Sequence, residues 1–195
     1  MTNLILASTS VYRKALLERL GLTAACVAPD VDEETWKAKV ENPRELAASL
    51  AAAKARAVAA HHPGQIVIGG DQVVAIDGQI LGKPGSPDRA AEQLARLQGC
   101  THEIITAMTV IGPEGTEYHH MDISRMTMRH LVTERIARYV SFDNPVDCAG
   151  SYKLESGGIA LFERIETADH TAITGLPLMA LTTILESLEV KVPGR

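Results

Sequence analysis

A single carboxylate, Asp71, follows two glycines and sits between two β-branched runs in Val67-Ile68-Gly69-Gly70-Asp71-Gln72-Val73-Val74. Short apolar runs beside glycines read as buried strand. An ionised acid that meets nothing neutralising in a core is costly. Asp71 is therefore expected at the solvent-facing end of a strand, where α/β folds keep their ligand crevices. The alternative is an ordinary turn aspartate.

Four other stretches carry groups that suit a polyanionic ligand. In Ser8-Thr9-Ser10-Val11-Tyr12-Arg13, hydroxyls and an arginine fall between a strand and a helix. Unpaired N–H groups and the positive dipole end there favour phosphate, although an N-cap with a surface arginine has the same text. Lys54 lies at the margin of a helical apolar stripe, where a lysine ordinarily snorkels to water. In Leu81-Gly82-Lys83-Pro84 the flanking glycine and proline make a constrained loop that aims Lys83, or leaves it solvated. Val31-Asp32-Glu33-Glu34 reads as a loop of carboxylates. One of these could join Asp71 and phosphate oxygens around a divalent ion.

Other chemistries lack their signatures. The Gly-Lys-Ser/Thr ending of a P-loop is absent, no serine or cysteine lies in a nucleophile elbow, and no His/Cys spacing matches a zinc site. His61-His62 and His119-His120 are adjacent pairs whose side chains point different ways. The chain has 195 residues and a net charge of -5, which does not favour general attraction to nucleic acid or membrane surfaces. Cys26, Cys100 and Cys148 form no CxxC pair, the N-terminus lacks a signal-peptide pattern, and no run reaches membrane-span length. These features read as a soluble cytoplasmic protein.

The positioning elements follow from periodicity and punctuation. Leu4-Ile5-Leu6-Ala7 is expected to be a strand, and Ala15, Leu16, Leu20 and Leu22 mark a helix capped from Ser8-Thr9-Ser10 and stopped at Gly21. Asn42-Pro43 opens a helix with Leu46, Leu50, Ala53 and Ala57 inward. Asp77-Gly78 predicts a type I′ hairpin. Ser86-Pro87 opens a further helix, and extended stretches flank Gly112-Pro113-Glu114-Gly115. Thr133 is expected to cap a short helix, Gly158 to Ile165 to form a strand, and Gly175-Leu176-Pro177 to open a last helix. Alternating strands and helices with an inserted hairpin predict a mixed α/β sheet.

Taken in order, these motifs resemble the Maf family of nucleotide pyrophosphatases over almost the whole chain. The matching text is Leu6-Ala7-Ser8-Thr9-Ser10 with Arg13 and Leu16-Leu17, Val31-Asp32-Glu33, Lys54-Ala55, Gly70-Asp71-Gln72-Val73 and Leu81-Gly82-Lys83-Pro84. It continues with Leu97-Gln98-Gly99, His102, Thr106, Cys148-Ala149-Gly150-Ser151-Tyr152, Gly158-Ile159 and Gly175-Leu176-Pro177-Leu178. The resemblance implies one domain, 1–195, with an ITPase-like fold: a mixed sheet flanked by helices, and two lobes around a central cleft. It implies a divalent cation, Mg²⁺ or Mn²⁺, a homodimer, and cleavage of a nucleoside triphosphate between its α and β phosphates. Asp71 matches the catalytic proton acceptor, with a metal-ligand role left open. Ser8, Arg13, Lys54 and Lys83 match the phosphate-binding positions, and Glu33 joins Asp71 as a metal ligand.

Within the family, Tyr12, Gln72 and Glu155 match positions that set base choice. An aromatic, an amide and a carboxylate there resemble the YceF-type branch, the 7-methyl-GTP pyrophosphatases, although that branch is associated with tryptophan where this chain has Tyr12. N7-methylation makes guanine cationic, so stacking on an aromatic gains about 0.5–2 kcal/mol. A carboxylate can accept both protons of the N1–H and N2–H edge. The implied role is removal of modified nucleotides from the pool. The alternatives are dTTP/UTP or broader-range hydrolysis, or regulation of septum formation with incidental catalysis.

Overall fold

The computed structural model describes residues 4–194. The elements run β1 (Leu4–Ala7), α1 (Val11–Arg19), β2 (Ala24–Cys26), α2 (Glu33–Lys39), α3 (Pro43–Ala59), β3 (Ile66–Ile76), β4 (Gln79–Leu81), α4 (Pro87–Leu97) and β5 (Thr101–Ile111). They continue with β6 (Glu117–Met128), α5 (Thr133–Asp143), β7 (Phe162–Glu166) and α6 (Leu178–Ser187).

Helix starts follow the expected chemistry in three places. Ser10 accepts from Arg13 N, Asn42 from Arg44 N and Glu45 N, and Ser86 from Arg89 N, with Pro43 and Pro87 opening their helices. Each such cap contributes about 1 kcal/mol. Thr133 departs from expectation: it is the first helical residue, and Val132 stands at the N-cap without a side-chain cap bond.

The strands form one mixed sheet in the order β2-β1-β3-β5-β6-β7, with β4 paired to β3. β1 runs parallel to β2 and β3, whereas β4 is antiparallel to β3 and β7 to β6. The β3–β4 turn places Asp77 and Gly78 at φ 51 and 75, as a type I′ turn requires. No helix among the described residues is long and apolar enough to cross a membrane.

The chain divides into two compact units. The first comprises the segment up to Gln72, Thr106–Asp122 and the segment from Asp169 onward; the second comprises Val73–Ile105 and Ile123–Ala168. In the first unit, the two-residue period of a strand sorts side chains onto opposite faces. Leu4, Leu6, Ile66 and Ile68 pack with Leu16 and Leu17 of α1 and Leu178, Leu181 and Leu185 of α6. Ile5, Ala7 and Val67 pack with Ala55 and Val58 of α3. By the same alternation, Asp71 belongs to the α3 face and Gln72 to the α6 face.

Two further expectations need correction. The acidic stretch at residues 31–34 is not all loop: Asp32 caps α2 through Thr35, and Glu33 is its first residue. That helix buries no side chain, so it leaves no apolar stripe to find. The strand expected from Gly158 to Ile165 splits into a 3-10 turn at Gly157–Leu161 followed by β7. There Gly158 N donates to Lys153 O at 2.9 Å, closing a loop where a strand was expected.

Candidate active site

Asp71 lies in the middle of the eleven-residue strand β3 and is only 7% exposed, not at a strand end as expected. The reason is that a neutralising partner is present. Lys54, on the buried face of α3, places Nζ 2.6 Å from Asp71 Oδ1. It does not snorkel to water; it too is 7% exposed. The same ammonium lies 2.6 Å from Glu33 Oε1, so three residues from α2, α3 and β3 meet at one point.

Gly69 makes this meeting possible. A Cβ there would stand 2.6 Å from Ala51 O and 2.7 Å from Ala55 N, inside the α3 backbone. The missing side chain lets α3 lie directly on β3, and Lys54, one residue before Ala55, then reaches Asp71. The glycine signal was visible in the sequence, but its packing partner was not.

Pairing of β1 with β3 through Ala7 and Gly69 brings Ser8, the next residue after β1, level with the start of Gly70-Asp71. Ser8 is buried, and its Oγ accepts from Ser10 N at 3.1 Å and from Arg13 Nη1 at 3.3 Å. Arg13 Nε donates to Gly175 O at 3.0 Å. Gly175 has φ 118, a backbone region that L side chains rarely adopt, and a Cβ there would crowd Arg13 Nε at 3.1 Å.

The electrostatics follow from burial and charge. Burial is the largest influence on Asp71 and raises its pKa above the usual carboxylate value. Lys54 and Arg13 oppose that rise, and Glu33 adds to it. Burial likewise lowers the Arg13 pKa, against the pull of Asp71 and Glu33. Arginine nevertheless stays charged in proteins.

Gln72, the neighbour of Asp71, turns to the other face of the sheet. Its Nε2 donates to Thr106 Oγ1 at 3.0 Å, Ala172 O at 3.1 Å and Ile173 O at 2.9 Å. Tyr12 is exposed on the first turn of α1, one residue before Arg13. Lys83 and Glu155 belong to the second unit. Lys83 is exposed after β4, and Glu155 is exposed in a turn between Tyr152 and Gly157. The first unit thus brings together Ser8, Arg13, Glu33, Lys54 and Asp71.

Two carboxylates converging on one cation, beside an arginine and a serine, match the donor set of an ion held by one or two carboxylates plus substrate phosphates. Among the described residues, no group of three or more His, Cys, Asp or Glu side chains is disposed to hold a metal ion. The residues present therefore fit a phosphate-assisted site and not an all-protein cage.

Two solved structures share the architecture. A HAM1 protein from Coxiella burnetii aligns over 96% of this chain and 100% of its own, with TM-score 0.52 and 15% identity. The Staphylococcus aureus Ham1 protein aligns over 95% and 99%, with TM-score 0.54 and 14% identity. At such identities the likeness defines the fold class, an ITPase-like mixed α/β sheet.

The particular family follows from the sequence. Residues 3–188 match the model of the Maf-like proteins, and the chain belongs to that family. Curated relatives named 7-methyl-GTP pyrophosphatase include one from Bdellovibrio bacteriovorus, 50% identical over 94% of this chain and 96% of its own. One from Xanthomonas axonopodis pv. citri is 46% identical over 99% and 100%. Another from Bordetella pertussis is 48% identical over 93% and 90%.

Proposed function

We propose that this protein hydrolyses 7-methyl-GTP to 7-methyl-GMP and pyrophosphate, within one functional domain spanning 1–195. The carrying observation is the ion-paired group of Glu33, Lys54 and Asp71, set beside Arg13 and Ser8. Near full-length relatives bearing that activity in their names support the substrate.

In this reading Ser8, Arg13 and Lys54 hold the triphosphate and offset its charge. Anchoring the phosphates and orienting one water supply most of what phosphoryl-transfer chemistry demands. Asp71 orients the water and takes its proton as oxygen bonds to the α-phosphorus. The α–β bridging bond breaks, and pyrophosphate leaves. Glu33 and Asp71 are the residues that would hold a divalent ion, which offsets phosphate charge when bound.

Tyr12 is proposed to stack on the cationic base, with Gln72 beside it. For Lys83 and Glu155 the support is the sequence pattern. Lys83 is assigned a phosphate contact and Glu155 the N1–H and N2–H edge. A pyrimidine would set carbonyl oxygen against that carboxylate, which disfavours it. The homodimer is carried forward on the family resemblance.

The test is pyrophosphate release from 7-methyl-GTP, GTP, dTTP and UTP, each with Mg²⁺ or Mn²⁺. Preference for 7-methyl-GTP is expected. Preference for dTTP or UTP would overturn the base assignment, and release from none would overturn the enzyme reading.

A further inference from the structure

We propose that Asp169 and Thr171 are positioning residues for the reaction, holding the turn that orients Arg13 and Gln72. The proposal rests on the roles given to those two residues above.

Asp169 is 3% exposed, and both its oxygens are engaged. Oδ1 accepts from Thr171 N at 2.9 Å and from Thr171 Oγ1 at 2.6 Å. Oδ2 accepts from Met179 N at 2.8 Å, and Thr171 Oγ1 accepts from Leu178 N at 2.9 Å. Helix α6 begins after Pro177, which supplies no side-chain cap. Its first N–H groups are instead satisfied by side chains seven and ten residues upstream. The segment from 169 to 179 is therefore a closed, clamped loop.

Inside that loop, three backbone carbonyls face the proposed site residues. Ala172 O and Ile173 O accept from Gln72 Nε2, and Gly175 O accepts from Arg13 Nε. Thr106 Oγ1 donates to Ala172 O at 2.8 Å, so its lone pairs face Gln72. Carbonyl oxygens only accept, which fixes the Gln72 amide with its nitrogen toward the loop. An unrestrained amide can rotate and read either a donor or an acceptor. This one has only its oxygen to offer, which suits a base edge presenting N–H groups and repels one presenting carbonyl oxygen.

Arg13 is fixed by the same loop. Its Nε is committed to Gly175 O and Nη1 to Ser8, so the plane of the guanidinium fork is set before a phosphate arrives. One buried carboxylate, which itself touches no substrate in this scheme, thereby orients a phosphate-side residue and a base-side residue together.

The decisive variant is Thr171→Val, which keeps the shape and removes the hydroxyl that ties Asp169 to Leu178. Expected is a rise of about three- to tenfold in both the KM for 7-methyl-GTP and the inhibition constant of pyrophosphate, the scale of a lost hydrogen bond. Preference for 7-methyl-GTP over dTTP should shrink while kcat changes less, and Thr171→Ser should restore all three. A lower Tm with unchanged KM, pyrophosphate inhibition and preference would overturn the proposal. Should Thr171→Val not fold, Thr106→Val tests one arm: preference is expected to fall with pyrophosphate inhibition unchanged, and an unaltered preference counts against the clamp. The Gln72 side-chain NH₂ resonances give an activity-free readout. They are expected to exchange slowly with solvent in the native protein and faster in Thr171→Val. Equal exchange in the two would sink the clamp, whereas slow native exchange in a protein inert toward every nucleotide would sink only the proposed hydrolysis.

Discussion

Lys54 and Asp71, seventeen residues apart in sequence, meet at 2.6 Å inside the first unit, both almost closed to solvent. An isolated buried carboxylate would protonate, and an isolated buried lysine would lose its charge. Paired, with Glu33 on the same ammonium, the buried charges offset one another's cost of burial. Replacing Asp71 by Asn keeps its size but removes the proposed proton acceptor. The kcat for pyrophosphate release should fall about 10²–10⁴-fold, the usual scale of a positioned acid or base. The KM should change less, because the lost interaction is strongest in the transition state. A kcat within about tenfold of the native value would remove Asp71 from the chemistry.

The pH dependence of that activity has a definite direction. Asp71 must be ionised to accept a proton, and its pKa is raised, first by burial. The acidic limb of kcat/KM should therefore lie above the ordinary carboxylate value of about 3.9. Lys54 opposes the rise, so Lys54→Met should move the limb to still higher pH, in addition to weakening turnover. The linkage has the matching sign: stability from this raised group is present below the ordinary carboxylate pKa and is lost as pH rises through the folded value. A carboxyl ¹³C titration of Asp71 in both proteins reads the shift even where Lys54→Met is inactive. No upward movement would contradict the ion pair.

The sequence made the chemistry more legible than its placement. The caps at Ser10, Asn42 and Ser86 and the Asp77-Gly78 turn are legible because they act locally. The side of α3 occupied by Lys54 was not, since Ala-rich helices have weakly marked faces: Ala51, Ala52 and Ala55 are buried, whereas Ala53 and Ala57 are only partly so. Reading Leu46, Leu50, Ala53 and Ala57 as the inward stripe rotated the helix and sent Lys54 toward water. The strand-end expectation for Asp71 has the same origin, because its neutralising cation comes from a residue whose burial the pattern hides. The Asp169–Thr171 clamp went unseen for a different cause. Its partners at 178 and 179 are backbone N–H groups, which leave no trace in residue type. A hint was available in an Asp and a Thr standing just upstream of a helix that opens on proline.

A second titration concerns stability alone. His102, in the second unit, is 1% exposed, with Nε2 2.8 Å from Tyr152 Oη and Nδ1 lacking a protein partner. Burial lowers its pKa from 6.5 to about 4. The unfolded chain then binds the extra proton between those values and the folded protein does not. Stability from this group is complete above the unfolded pKa and drains away as pH falls toward the folded one, by about 3 kcal/mol. Urea unfolding at pH 7 and pH 4.5 should show this loss in the native protein and a smaller one in His102→Gln. Equal losses in the two would mean that His102 does not carry it.

Gly69 offers the sharpest separation of packing from chemistry, because it bears no functional group. In Gly69→Ala the new methyl would overlap Ala51 O, Ala55 N and Ala55 Cβ, at 2.6, 2.7 and 2.8 Å. Helix backbone cannot yield as a flexible side chain does, so α3 must lift from β3. Overpacking of this kind costs about 1–3 kcal/mol, which denaturant midpoints can measure. The functional consequence is separable from that cost. A displacement of a few tenths of an ångström lengthens the contact from Lys54 to Asp71, while Arg13, held by Ser8 and Gly175, lies on other elements. Folded Gly69→Ala protein should therefore lose kcat and show its acidic limb displaced upward, as expected for Lys54→Met, while its inhibition by pyrophosphate weakens less than in Lys54→Met, because Arg13 and Ser8 keep their places. A variant that is merely less stable, with native kcat and limb, would mean that α3 docking and Lys54 placement are independent.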